Sequence, residues 1–247
     1  MAYDGTTVLV AASLLVAAYV KGTTGLGFPM IATPVVALLL DIRTAITILL
    51  IPNIVMDLTQ ILRGSLATAV FRRFSWLLLF TVAGVFLGTK VLVMLPLWIL
   101  NLSLGVMILS FVASNLFRFE FEISPRTEGV LSPAVGIVGG FLNGMTNAAG
   151  PALAIYLYSL RLAKTDFIKS IATIFIVTKV SQLVAVSTWN LFTRSTLWLS
   201  LEVTLFVLVG FYAGLKTQDR VNQQTFNRGL LIVLTLIGLV LIVRSLA

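Results

Sequence analysis

Residues 21–30 read Lys21-Gly22-Thr23-Thr24-Gly25-Leu26-Gly27-Phe28-Pro29-Met30, and they interrupt an apolar run from Val8 to Leu40. Glycines 22, 25 and 27 are poor helix formers. Pro29 cannot continue a helix begun upstream, but it suits the first turn of a new one. The stretch therefore predicts a polar turn between two half-helices, roughly 8–21 and 29–40. Each half has about 12–14 residues, or roughly 20 Å of helix. The hydrocarbon core of a bilayer is about 30 Å thick. Neither half is expected to span it, so the reading is a re-entrant helical hairpin.

The pattern occurs twice. Asn143-Gly144-Met145-Thr146-Asn147-Ala148-Ala149-Gly150-Pro151 repeats it at an offset of 122 residues. Gly22 falls on Gly144, Thr24 on Thr146, Pro29 on Pro151 and Ala32 on Ala154. Further on, Gln60 falls on Gln182, Trp76 on Trp198 and Gly88 on Gly210. Broken apolar segments at matching places in two halves point to a transporter binding site.

The composition sets the class. Hydrophobic residues make up 59% of the chain and charged residues 11%, against about 25% charged in soluble domains. The apolar residues come in runs near the length of a membrane span, so the expectation is an all-α polytopic membrane protein forming a single transmembrane domain over 1–247. Met1-Ala2-Tyr3-Asp4-Gly5 has no basic region and is not read as a cleaved signal peptide. The chain has no cysteine, hence no thiol chemistry, and no histidine, the commonest general base and metal ligand. The net charge of +8 reads as a basic cytoplasmic face rather than a nucleic-acid surface.

Repeat one is expected over about 8–117, a polar linker over 118–130 and repeat two over about 131–245. Each is read as a hairpin followed by three transmembrane helices. Charge tests this plan. With two hairpins and six spans, eleven basic residues share one face: Arg63, Arg72, Arg73, Arg118, Arg126, Arg161, Lys164, Lys169, Lys216, Arg220 and Arg228. Four take the other: Arg43, Lys90, Arg194 and Arg244. Making each hairpin a full span divides the same residues seven to eight and leaves no bias. The positive-inside rule thus favours the hairpins. Three spans per repeat is odd, which inverts the second repeat and leaves both termini on the periplasmic side.

The chemistry is expected at the turns. Helix N-termini carry unpaired N–H groups and the positive end of the dipole, which suits a small anion. Glycines 22, 25, 27, 144 and 150 would let an oxyanion approach the backbone, while Thr23, Thr24, Thr146 and Asn147 add donors. The structural alternative is that the glycines only permit close helix crossing. Lys21, Asp57 and Lys179 lie within apolar segments, where charge is costly and marks function. Asp57 and Lys179 are related by the same offset. Either Asp57 and Lys179 pair with each other, or both lysines face the anion while Asp57 balances them. Lys21, next to the turn, is favoured as the lysine facing substrate, with Lys179 occupied by Asp57, and a structural ion pair locking the repeats is the alternative. Gln60 and Gln182 extend the polar lining or form interhelical hydrogen bonds. Asp57 is the candidate proton carrier. Trp76 and Trp198 read as interfacial anchors.

The turn Gly22-Thr23-Thr24-Gly25-Leu26-Gly27 followed by Pro29 and Pro34, its echo from Gly144 to Pro151, and the duplicated four-segment plan resemble the TauE/SafE sulfite exporter family. The resemblance covers nearly the whole chain. It implies a bacterial inner-membrane transporter that moves sulfite, organosulfonates or related small anions, often outward; proton coupling enters as an analogy. The implied partners are the small anion and the lipid bilayer. A homo-oligomer is left open, and no cofactor, metal or nucleic acid is expected. A passive small-anion channel needs the same basic, small-residue pathway and stands as the alternative. An intramembrane enzyme is disfavoured, because hydrolytic chemistry wants a Ser–His pair, a metal site or paired aspartates.

Overall fold

The computed structural model describes residues 5–62, 68–117, 123–148, 150–218 and 223–246. Arg63, Arg118 and Arg220, which enter the charge argument, and Asp4 lie outside the described residues. All the regular structure described is α-helical: α1 (Gly5–Thr24), α2 (Phe28–Leu39), α3 (Ile42–Leu62), α4 (Thr68–Arg73), α5 (Ser75–Met94), α6 (Leu97–Phe117), α7 (Pro125–Thr146), α8 (Gly150–Ser159), α9 (Lys164–Thr188), α10 (Arg194–Thr217) and α11 (Gln223–Leu246). Among the described residues, seven of these helices are long and apolar enough to cross a membrane. The chain is an all-α, multi-pass membrane protein.

Two lengths differ from expectation. The first limbs of the hairpins run 20 residues in α1 and 22 in α7. Only the return limbs are short, with 12 residues in α2 and 10 in α8, so the expectation that neither limb reaches across a bilayer fails for α7, one of the seven helices long enough to cross. Glycine near the end of α1 and α7 did not break either helix, because each glycine is held against a neighbouring helix. A Cβ on Gly22 would lie 2.3 Å from the carbonyl oxygen of Phe211, and one on Gly144 would lie 2.3 Å from that of Val85. Close helix approach outweighs a propensity cost of about 1 kcal/mol. At its other end α7 takes up residues assigned to the linker. Ser124 caps it, accepting from the Thr127 N–H, and Pro125 follows in the first turn.

The contacts pair the two halves. Helix α1 packs on α10 and α7 packs on α5; α3 packs on α9 and α6 on α11. The glycine motifs explain the first two. A Cβ on Gly84 would meet the carbonyl oxygen of Ile137, and one on Gly88 that of Phe141. The matching glycines are Gly210, against Leu15, and Gly214, against Tyr19. Gly84 therefore corresponds to Gly210, one helical turn away from the Gly88–Gly210 match read in the sequence. The outer surface is apolar, with Trp76, Trp98, Trp198, Leu205 and Val209 exposed, while Thr, Asn, Gln and Lys side chains are buried inside. That distribution suits a protein whose surroundings are hydrocarbon and whose functional polar groups face inward.

Candidate functional site

The two turns have the same backbone form. Gly25 and Asn147, related by the offset of 122, both adopt positive φ, 80° and 62°. Each closes the helix before it: the Gly25 N–H donates to the Lys21 carbonyl at 2.8 Å, and the Asn147 N–H to the Asn143 carbonyl at 2.7 Å. This is a left-handed helix end, which Gly and Asn tolerate best. A second left-handed residue, Gly27 at φ 99°, then starts α2 with no side-chain cap. The Phe28 N–H is thus left without a side-chain acceptor; Pro29, one position later than expected, has no N–H to offer, and the Met30 N–H donates to the Gly27 carbonyl at 3.1 Å. Gly150 begins α8; Ala149 before it lies outside the described residues, as do the surroundings of Gly150 and Pro151.

Among the described residues, the buried charged side chains are Lys21, Asp57 and Lys179. Their pairing differs from the one favoured in the sequence. Lys21 Nζ, not Lys179, donates to Asp57 Oδ1, at 2.6 Å. The same ammonium lies 5.5 Å from the centre of the Phe175 ring, a favourable cation–π distance. Lys179 instead donates to two amide oxygens on the second hairpin, Asn143 Oδ1 at 2.6 Å and Asn147 Oδ1. The physical reason is the residue at the end of each first limb. Asn143 stands where repeat symmetry puts Lys21, so Lys179 meets a neutral amide where Asp57 meets an ammonium.

The hydrogen bonds around these groups repeat as well. Gln60 Nε2 donates to the Lys21 carbonyl at 3.2 Å, and Gln182 Nε2 to the Asn143 carbonyl at 3.1 Å. Gln182 adds a bond to the Gly144 carbonyl and accepts one from Asn143 Nδ2. Gln60 Oε1 and Asp57 Oδ2, one turn apart on α3, are buried and unpartnered. Asn147 Nδ2 donates to Thr33 Oγ1 at 2.9 Å, which joins the second turn to the return limb of the first hairpin.

The remaining predicted residues divide. Thr23 and Thr24 turn their hydroxyls onto the Val20 carbonyl, and Thr24 also links to Leu26. Both line a cavity of about 420 Å³ with Leu157, Tyr158, Leu162, Phe167 and Ile168. At the other turn the corresponding positions are buried, Val35 and Leu40 excepted. Thr146, Val36, Ala45 and Ile46, the offset partners of Thr24, Tyr158, Phe167 and Ile168, are all buried. Thr146 donates to Leu142 and to Met107 Sδ. Gly22 and Gly144 are used up in helix crossing and do not face the turn. Asn143 and Thr33 were missed by the sequence reading. Adding the offset to Lys21 points to Asn143; no comparable signal marks Thr33.

Two broken helices in matched halves and a buried lysine held by neutral amides form a polar centre inside an apolar shell. The family described as sulfite exporter TauE/SafE matches residues 9–241. The chain belongs to that family. No curated protein and no solved structure matches it. Membership makes this member of the TauE/SafE family a membrane transporter rather than an enzyme, and it directs attention to sulfur-containing anions.

Proposed function

We propose that this TauE/SafE protein is a secondary transporter that exports a small sulfur-containing oxyanion, such as sulfite or an organosulfonate. The anion binds between the two hairpin turns near mid-membrane. The observation that carries the reading is Lys179: it is buried, and its hydrogen-bond acceptors are the neutral amides Asn143 and Asn147 rather than a carboxylate. A buried charge without a counter-charge is costly, and an anion would supply one. The uncapped start of α2 and the polar residues Thr24 and Gln60 support a place for it on the other side.

The protein sits in a bacterial inner membrane with its basic loops in the cytoplasm and both termini in the periplasm. Its halves are inverted repeats, each a re-entrant hairpin with three spans. The matched hydrogen bonds and the exchange of helix contacts between halves support the repeat. Asp57, with one oxygen unpartnered, serves as the proton carrier if coupling is to protons. The test uses purified protein in proteoliposomes loaded with sulfite, sulfate, sulfoacetate, thiosulfate or acetate, with and without a pH gradient. Accumulation of a sulfur oxyanion against its gradient is the expected result. Movement only down the gradient would favour the channel reading, and no movement of any sulfur anion would overturn the substrate assignment.

A further inference from the structure

The three buried charges do not cancel. With both lysines protonated and Asp57 ionised, two positive charges stand against one negative, which leaves a single positive charge in the centre. Lys21 and Asp57 neutralise each other at 2.6 Å. The excess rests on Lys179, which has only amide oxygens. Among the described residues, no other charged side chain is buried on the helices packed on α3 or α9. Helices α2 and α6 carry no titratable side chain, and Arg194, Glu202, Tyr212 and Lys216 of α10 are all exposed. On α9, Asp166 is exposed and Lys169 is partly exposed, and both lie more than two helical turns before Lys179.

We propose that the site selects by charge: a monoanion fills it alone, and a dianion enters only with a proton taken up on Asp57. This rests on the anion-transporter reading above and specifies its substrate class. One negative charge brings the cluster to neutrality. A second would leave a net negative charge buried in a poorly polarisable interior, where Coulomb energies are large. A proton bound at Asp57 removes that excess. The unpartnered Oδ2 is the oxygen open to receive it. Asp57 then loses its charge, Lys21 loses its counter-ion, and two lysines face two negative charges. The proton comes from the solution that delivers the anion and leaves with it. A sulfonate, permanently singly charged, is the chemistry that fits without a proton. A sulfite-type oxyanion fits as its singly protonated form.

The test uses methanesulfonate as a fixed monoanion and sulfate as a fixed dianion, titrated calorimetrically into the full-length protein at constant pH and ionic strength. The parent is expected to prefer methanesulfonate and to take up one more proton with sulfate than with methanesulfonate, read from titrations in buffers of different ionisation heat. Asp57→Asn raises the fixed charge by one and should move the affinity ratio toward sulfate by more than about tenfold. Because Asp57→Asn leaves Lys21 unpaired and threatens folding, Lys21→Gln/Asp57→Asn is the second variant. It restores a single positive charge and should restore the preference for methanesulfonate. An affinity ratio that stays within about twofold of the parent in folded Asp57→Asn, or a double variant that also prefers sulfate, overturns the charge rule while leaving an anion site in place. Failure of the parent to bind either anion would instead overturn the anion-site reading itself.

Discussion

Gln60 and Gln182 make the same bond in the two halves of the protein: each gives its side-chain amide to a main-chain carbonyl 39 residues earlier, that of Lys21 or of Asn143. The two glutamines then part company. Gln182 also reaches the Gly144 carbonyl and accepts from Asn143 Nδ2, whereas Gln60 Oε1 is unpartnered. The difference traces to the lysine that replaces an amide beside Gln60.

A stability difference follows. Gln182→Leu breaks three bonds and leaves the buried Asn143 Nδ2 without the acceptor it uses, at about 1–3 kcal/mol. Gln60→Leu breaks one and removes an oxygen already without a partner. Thermal unfolding in detergent should show Gln182→Leu losing clearly more stability than Gln60→Leu. Equal losses would mean that the extra bonds of Gln182 contribute nothing.

The glycines give a second comparison. Gly22→Ala and Gly144→Ala each put a Cβ 2.3 Å from a main-chain oxygen on another helix, so the helices must separate. Overpacking of this kind costs about 1–3 kcal/mol. Gly129→Ala, with nothing within 4 Å, should be neutral or slightly stabilising. Yield and melting temperature of the three variants check this, and a Gly144→Ala protein as stable as Gly129→Ala would contradict the packing role.

Much of this was legible in the sequence because the duplicated turns are local features. Gly25 and Asn147 sit where a left-handed residue must sit, and the offset carried Gln60 to Gln182 and Asp57 to Lys179. What failed was pairing. Which lysine meets Asp57 depends on the opposite helix, and the decisive residue is Asn143, which carries no charge to draw attention. The half-helix lengths failed for a related reason. Glycine was weighed by its intrinsic propensity, while in α1 and α7 it serves helix crossing, visible only once α10 and α5 are in place.

The different burial of Thr24 and Thr146 predicts different accessibility. The parent has no cysteine, so single cysteines report cleanly. Thr24→Cys, partly exposed and lining the cavity, should react with a water-soluble maleimide. Thr146→Cys, fully buried against α6, should be protected. Comparable labelling of both would show that the two turns do not differ in access.

The proposed inversion of the repeats has its own test. Leu40 and Ala163 close the two hairpins at neighbouring positions of the repeat, and both are exposed. Leu40→Cys should label from the periplasmic side of cells or oriented vesicles and Ala163→Cys from the cytoplasmic side. Reaction of both from one side would remove the inverted topology and, with it, the charge argument for re-entrant hairpins.

The sharpest prediction concerns Asn143. Asn143→Asp changes one atom and places a carboxylate 2.6 Å from Lys179 Nζ, giving the second half the ion pair that the first half has between Lys21 and Asp57. The lysine would then carry its own counter-charge, and the central charge would fall to zero. An incoming anion would meet an occupied lysine and a like charge in a poorly solvated site, so methanesulfonate should bind more than about tenfold more weakly. Stability should not fall in parallel. The variant loses the donor to Gln182 Oε1, worth about 1 kcal/mol, but gains a charge-assisted bond of similar or greater strength. Loss of binding with a retained melting temperature would separate a functional from a structural role for Lys179. Unchanged binding in the folded variant would show that Lys179 is not the positive charge that holds the anion.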